Sequence, residues 1–222
     1  MNYRIEITPF RVEVCESDSA YSYDDIVVIK SKEGIDLGRV VKEEDEEIEE
    51  VYGKIIRKAS PQDIEKRNEL HEYEEFCLIE LKRAVEEFKF AMKPVHAHCQ
   101  FDEERVIFYF TAQKRLEFRK LHRYISQKLN KRVVIKQIGS RDYSKLFGGI
   151  GPCGRNLCCR TFLGELKSIS LRMARDQKLY VSPSKISGIC GRLLCCLNFE
   201  ENFYTDFQKE KSESEEKQDE SG

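Results

Sequence analysis

The chain has no apolar run approaching the ~18 residues that a membrane span needs. Its first residues, Met-Asn-Tyr-Arg-Ile-Glu-Ile, have neither the basic head nor the apolar stretch of a secretory signal. Histidine is scarce, and four in 222 residues leave little for general-base chemistry. No HExxH, no Ser–His–acid pattern and no paired catalytic carboxylates are present, so no enzyme is expected and no catalytic residue is assigned. The segment Gly149-Ile-Gly-Pro-Cys-Gly154 has the glycine spacing of a phosphate loop. Arg155-Asn156 follows it where that chemistry needs Lys and Ser or Thr, which excludes nucleotide binding of that kind. Cysteine, at nine residues, is too sparse for a small disulfide scaffold, and an odd number cannot all pair within one chain. A reducing, cytoplasmic setting is expected, where clustered thiols serve metal or redox chemistry.

Six of those nine cysteines stand in one phrase written twice. Cys153-Gly-Arg-Asn-Leu-Cys158-Cys159 and Cys190-Gly-Arg-Leu-Leu-Cys195-Cys196 differ only at their fourth position and begin 37 residues apart. Core packing has no need of that repetition, whereas a metal that gathers several thiolates does. Zinc and an iron–sulfur cluster both fit. Structural zinc sites usually use C-x₂₋₄-C knuckles, and the C-x₄-C gap also occurs in plant-type iron–sulfur proteins. Glycines around the phrases, Gly149, Gly151, Gly154 and Gly191, let backbone N–H groups approach the sulfurs and tune such a centre. In extended backbone the two members of each vicinal pair point to opposite faces, so they need not serve one centre. Arg155, Arg160 and Arg192 lie close in sequence and favour thiolate. His96 and His98 share one face of a strand, but without an evident third ligand they read as half-exposed sheet residues.

The net charge of −2 hides a segregation. Between Lys114 and Lys178 there are 17 Lys/Arg against 4 Asp/Glu, a local +13, so the remainder sums to −15. Much of that acid lies in Glu43–Glu50 and after Lys209. A basic middle suits an anionic partner, RNA or an acidic protein.

The fold class expected is α+β. Tyr3, Ile5 and Ile7 alternate, Val12 and Val14 continue, and short apolar runs at 26–29, 38–41 and 51–56 follow polar turns, which predicts a small β-barrel-like subdomain over 1–58. Ser60-Pro61 with Asp63 opens a long helix whose stripe runs through Leu70, Tyr73, Cys77, Leu81, Ala84 and Phe88 to about Met92. A hairpin at 95–111, a helix at 116–129 and a strand at 132–138 complete a ferredoxin-like two-layer sandwich over 59–145, with its helices on one face of an antiparallel sheet. The cysteine region, 146–207, is expected to be loop-rich with a helix at 168–178, and the polar tail, 208–222, to be disordered.

Several segments resemble the PSP-one C-terminal domain family, and within it the bacterial YaaT/RicT-like group. They are Phe108-Tyr-Phe-Thr-Ala, Arg132–Gly139, Arg141-Asp142, Gly148–Arg155, Leu157-Cys-Cys159, Thr161-Phe-Leu-Gly164, Met173–Gln177 and Lys185–Arg192 with Cys195-Cys196. The resemblance is close over about 95–200. It implies a non-enzymatic cytoplasmic regulator that joins two small helical proteins in a ternary complex carrying [4Fe-4S] clusters. That complex supports ribonuclease Y in mRNA maturation and influences sporulation, competence and biofilm formation. It makes Cys153, Cys158, Cys159, Cys190, Cys195 and Cys196 the cluster-ligand candidates. A zinc-stapled nucleic-acid module and a thiol redox sensor are the alternatives.

Overall fold

The computed structural model describes residues 1–44, 51–114, 116–163, 168–179 and 182–204. The chain divides into two compact units, Met1–Gly139 and Ser140–Gly222. The acidic run at 45–50 and the tail at 208–222 lie outside the described residues.

The first unit opens with a closed barrel of five strands: β1 (Asn2–Thr8), β2 (Arg11–Glu16), β3 (Ile26–Ser31), β4 (Gly34–Glu44) and β5 (Gly53–Lys58). Around the barrel the order is β1-β2-β5-β3-β4, and antiparallel pairing of β1 with β4 closes it. The alternation read from the sequence sets the interior, because successive side chains of a strand face opposite ways. Tyr3 and Ile5 are buried with Cys15, Val27, Ile29, Val40 and Ile55 in one small core. Gly53 allows β5 to approach β3 closely, and a Cβ there would stand 2.4 Å from the Lys30 carbonyl oxygen.

The long helix, α1 (Pro61–Glu87), starts as predicted. Ser60 Oγ accepts from the Asp63 N–H, and the Asp63 carboxylate accepts from the Ser60 N–H, a reciprocal cap. The helix stops at Glu87, five residues before the expected end; Lys89 there takes a positive φ of 54°. Strands β6 (Lys93–Cys99) and β7 (Arg105–Thr111) form the hairpin, and helix α2 (Arg119–Leu129) leads to β8 (Arg132–Gln137). Leu70, Cys77, Leu81 and Ala84 of α1 and Leu121 and Ile125 of α2 cover Val106, Phe108 and Phe110 of β7.

The sheet order is β6-β7-β8, antiparallel between β6 and β7 and parallel between β7 and β8. The expected antiparallel sheet is therefore mixed, because α2 carries the chain back across the layer so that β8 runs alongside β7 in the same direction. Two layers also become three. Every residue from Val106 to Phe110 is buried, since the barrel covers the face that the helices leave open. Phe10 of the barrel lies 4.8 Å from the Tyr109 ring, and Thr8 Oγ1 is 3.4 Å from the Tyr109 hydroxyl.

This burial accounts for His98. The sequence reading made it a half-exposed sheet residue, yet it is 2% exposed. Its Nε2 is 2.8 Å from Asp36 of β4 and its Nδ1 is 3.2 Å from Glu74 of α1. Glu74 also accepts from the Cys99 N–H at 2.6 Å and from Arg67 at 2.5 Å. A chain of buried charges thus ties barrel, sheet edge and helix together. Beside it, Asp102 accepts from the Ile35 N–H and Gln100 donates to the Glu33 carbonyl, joining the β6–β7 turn to the β3–β4 turn. Among the described residues no helix is long and apolar enough to cross a membrane.

Candidate metal centre

In the second unit the repeated phrase is also a repeated structure. The Gly151 N–H donates to the Arg155 carbonyl at 2.8 Å, and 37 residues on, the Gly188 N–H donates to the Arg192 carbonyl at 2.8 Å. The Gly154 N–H donates to Gly151 and the Gly191 N–H to Gly188, both at 2.9 Å. Isolated bridges pair Ile150 with Asn156 and Ser187 with Leu193. Each copy is therefore a small hairpin closed at matching positions. Its tip needs a left-handed residue: Gly154 has φ 77° and Gly191 φ 73°. The N–H groups of Gly151, Gly154 and Gly191 go to these carbonyls rather than to sulfur, so these glycines shape the hairpins. Gly188, the partner of Gly151 in the second copy, was missed by the sequence reading although the 37-residue offset points to it.

The vicinal cysteines are not extended. A short helix, α3 (Ser140–Phe147), precedes the first copy, and Cys158 and Cys159 begin the one-turn helix α4 (Cys158–Thr161). Helix α5 (Leu171–Asp176) follows, and α6 (Pro183–Ile186) and α7 (Cys196–Phe199) flank the second copy. The vicinal side chains therefore diverge by about 100° around a helix rather than alternating across a strand. In the first copy the Thr161 N–H and Thr161 Oγ1 both donate to the Leu157 carbonyl and tighten that turn. The helix expected at 168–178 is shorter. Its Met173 and Ala174 bury with Ile186 and Leu197, and Gln177 Nε2 donates to the Leu197 carbonyl at 2.6 Å.

The two copies meet. Phe162 and Phe199, equivalent at the 37-residue offset, pack edge to face with ring centroids 5.1 Å apart. A Cβ on Gly149 of the first copy would lie 3.5 Å from Ile189 Cδ1 of the second. Between the copies is a pocket of about 90 Å³ whose wall includes all six cysteines of the phrases: Cys153, Cys158, Cys159, Cys190, Cys195 and Cys196. The other three, Cys15, Cys77 and Cys99, are buried in the first unit. Cys153 is exposed, Cys159 is buried, and the remaining four are half-buried.

The donor set suits a soft, thiophilic metal. Closure is incomplete: among the described residues no three His, Cys, Asp or Glu side chains are grouped as a metal ion requires. Burial, the largest influence, pushes the Cys195 thiol up to about 11, and burial also raises Cys159 and Cys196. These thiols are protonated at neutral pH, so a metal that takes them must displace protons. The cation that opposes burial at Cys159 and Cys195 is Arg141, with Lys145 assisting at Cys159. Sequence proximity had pointed to other arginines. Arg160 instead donates to the Leu146 carbonyl at 2.5 Å and the Lys145 carbonyl at 3.2 Å, at the C-terminal end of α3. Folding brings Arg141, distant in sequence from Cys195, to the second hairpin, where its Nη2 donates to the Leu193 carbonyl at 3.1 Å.

One curated protein and two family descriptions match this chain. Stage 0 sporulation protein YaaT of Bacillus subtilis (strain 168) is 42% identical over 190 residues, covering 82% of this chain and 68% of that protein. The description "PSP1 C-terminal conserved region" fits residues 53–138. The chain belongs to the PSP1 family. A second description, "PSP1-like protein, third domain", fits residues 168–211 and so contains the second cysteine phrase and not the first. The conserved region covers β5 to β8 with their helices, and the match to the third domain begins after the first cysteine phrase. No solved structure matches the chain.

Proposed function

We propose that this PSP1 family protein is a cytoplasmic regulator rather than an enzyme, and that its duplicated hairpins bind an iron–sulfur cluster of the [4Fe-4S] type. The observation that carries this reading is the convergence of six cysteines from two symmetric hairpins on one pocket. Repeated loops that deliver thiols to one place match the ligand demand of a multi-iron centre. Cys153, Cys158, Cys159, Cys190, Cys195 and Cys196 would hold the cluster, which when bound supplies a redox- and oxygen-sensitive clamp between the copies. Closing the thiols around a centre requires the hairpins to tighten or a partner to add ligands.

The name of the relative, a stage 0 sporulation protein, supports a role in a developmental programme. We place the protein in a complex with two small helical proteins that modulates ribonuclease Y-dependent mRNA maturation, with competence and biofilm formation as further outputs. Exposed apolar side chains on the second unit, Phe147, Ile150, Phe162, Ile189 and Phe199, support docking of such partners. A strain lacking the gene, complemented with a variant carrying serine at all six positions, tests the role. Unprocessed polycistronic transcripts and impaired sporulation are expected, as in the deletion. Full complementation would refute the part played by the thiols. Zinc in place of iron and sulfide would favour the zinc-stapled module.

A further inference from the structure

A second cavity lies beside the second hairpin, outside the cysteine pocket. It measures about 580 Å³, and its wall includes Arg141, Arg192, Ser168, Ser187 and the backbone at Gly191. Two guanidinium groups therefore line one opening with two serines. Among the described residues the Arg192 guanidinium has one hydrogen-bond partner, Ser140 Oγ at 3.3 Å, and the Arg141 guanidinium has the Leu193 carbonyl at 3.1 Å. Neither bond neutralises a charge, and among the described residues neither arginine has an acidic partner. The Nε of Arg141 is in addition a buried donor with no acceptor among the described residues. A buried unsatisfied donor is costly, and native structures rarely keep one without a use.

The surrounding charge agrees. From Ser140 to Phe199 the sequence holds ten Lys/Arg against three Asp/Glu, a net +7. Planar guanidinium forks match the oxygens of a phosphate in pairs, and hydroxyls add acceptor-directed donors. We propose that this cavity is a phosphate-binding site in which the Arg141 and Arg192 guanidinium groups grip the oxyanion and Ser168 and Ser187 complete the cradle. The anchored Nη2 of Arg141 fixes the fork, and a seated phosphate supplies the negative charge that neither guanidinium has beside it among the described residues. The cavity is larger than one phosphate, so the group can arrive free or as part of a chain of phosphodiesters. The site does not depend on a bound metal.

The test uses the full chain with two probes: inorganic phosphate followed by calorimetry, and a short single-stranded oligoribonucleotide followed by fluorescence anisotropy. Arg141→Lys keeps the charge and removes the fork, and Arg192→Gln removes an exposed charge without touching the hairpin backbone. Far-UV circular dichroism verifies that each variant remains folded. Each substitution should weaken binding about tenfold, the size of a lost charge-assisted hydrogen-bond pair. Saturable phosphate binding with that loss supports the site with free phosphate sufficient. Oligonucleotide binding alone, with the same loss and a salt slope reduced by about one in Arg192→Gln and unchanged in Arg141→Lys, supports it with phosphodiester as the source. Absence of binding to either probe, or binding that both folded variants retain at full strength, overturns the proposal.

Discussion

Replacing His98 by leucine should destabilise the first unit strongly and with a defined pH signature. The substitution fills the space but leaves Asp36, 4% exposed, and Glu74, 3% exposed, without their shared cation. Breaking a buried charge pair by removing one partner costs about 3–5 kcal/mol. The lower end applies, because Asp36 keeps the Leu37 N–H, and Glu74 keeps Arg67 and the Cys99 N–H. With an unfolding entropy of about 2.1 cal/mol/K per residue, a loss of about 3 kcal/mol in a unit of this size lowers the melting temperature by roughly 10 °C. Burial works against the charged imidazole, yet the hydrogen bonds to Asp36 and Glu74 prevail and raise the His98 pKa above 6.5. Burial likewise opposes ionisation of Glu74, but His98 and Arg67 pull it down to about 2. The His98 contribution is complete below its unfolded value of 6.5 and fades as pH rises through the folded value. The Glu74 contribution is present above 4.5 and is lost as pH falls toward 2. His96, held down to about 4 mainly by burial, acts the other way; His98→Leu removes only the lesser repulsion from His98, so most of the His96 contribution is common to both proteins. The gap between wild type and His98→Leu in urea unfolding, followed by circular dichroism, is therefore widest between pH 4.5 and 6.5 and narrows on either side. A melting temperature within a degree or two of wild type, or a gap independent of pH, would refute the reasoning.

Other consequences are as specific. Ser60→Ala removes the cap acceptor of α1 and should cost about 1 kcal/mol, read as a lower urea midpoint at unchanged slope. Gly154→Ala and Gly191→Ala place a Cβ in open space but at φ 77° and 73°, so each should cost about 1–2 kcal/mol of backbone strain in the second unit. Asparagine at either position should recover part of that loss, and an equal cost for Ala and Asn would contradict the left-handed explanation. In metal-free folded protein, Cys153 should be alkylated first and Cys15, Cys77 and Cys99 last, with burial pushing the Cys15 thiol up to about 12. Uniform rates across the nine thiols, measured by mass spectrometry, would count against this arrangement.

Local signals in the sequence were legible where one segment decides its own structure. The alternation at Tyr3, Ile5 and Ile7, the Ser60-Pro61 cap and the stripe of α1 each foretold an element, because propensity and burial agree there. The signals failed where a distant layer intervened. His98 looked half-exposed because nothing in its own strand announces that the barrel covers that face. Glu74 and Glu80 sit buried on α1 among residues that read as its polar side. The unbroken run Val106-Ile-Phe-Tyr-Phe110 in β7 was the available hint that both faces of the sheet are covered. In the second unit, repetition marked the six cysteines as one set. It did not reveal that the vicinal pairs lie in helical turns, nor that Arg141 is the cation opposing burial at Cys159 and Cys195, since both follow from how the hairpins fold back.

The central claim is that the six cysteines form one metal-binding set. The most direct measurement is iron, sulfide and zinc analysis with a visible spectrum, on protein purified without oxygen and co-expressed with the two small helical proteins proposed as its partners. The account predicts a brown protein with matching iron and sulfide, and a colour lost when Cys153 or Cys190 is changed to serine. A colourless, metal-free protein whose six cysteines all remain open to alkylation would contradict it.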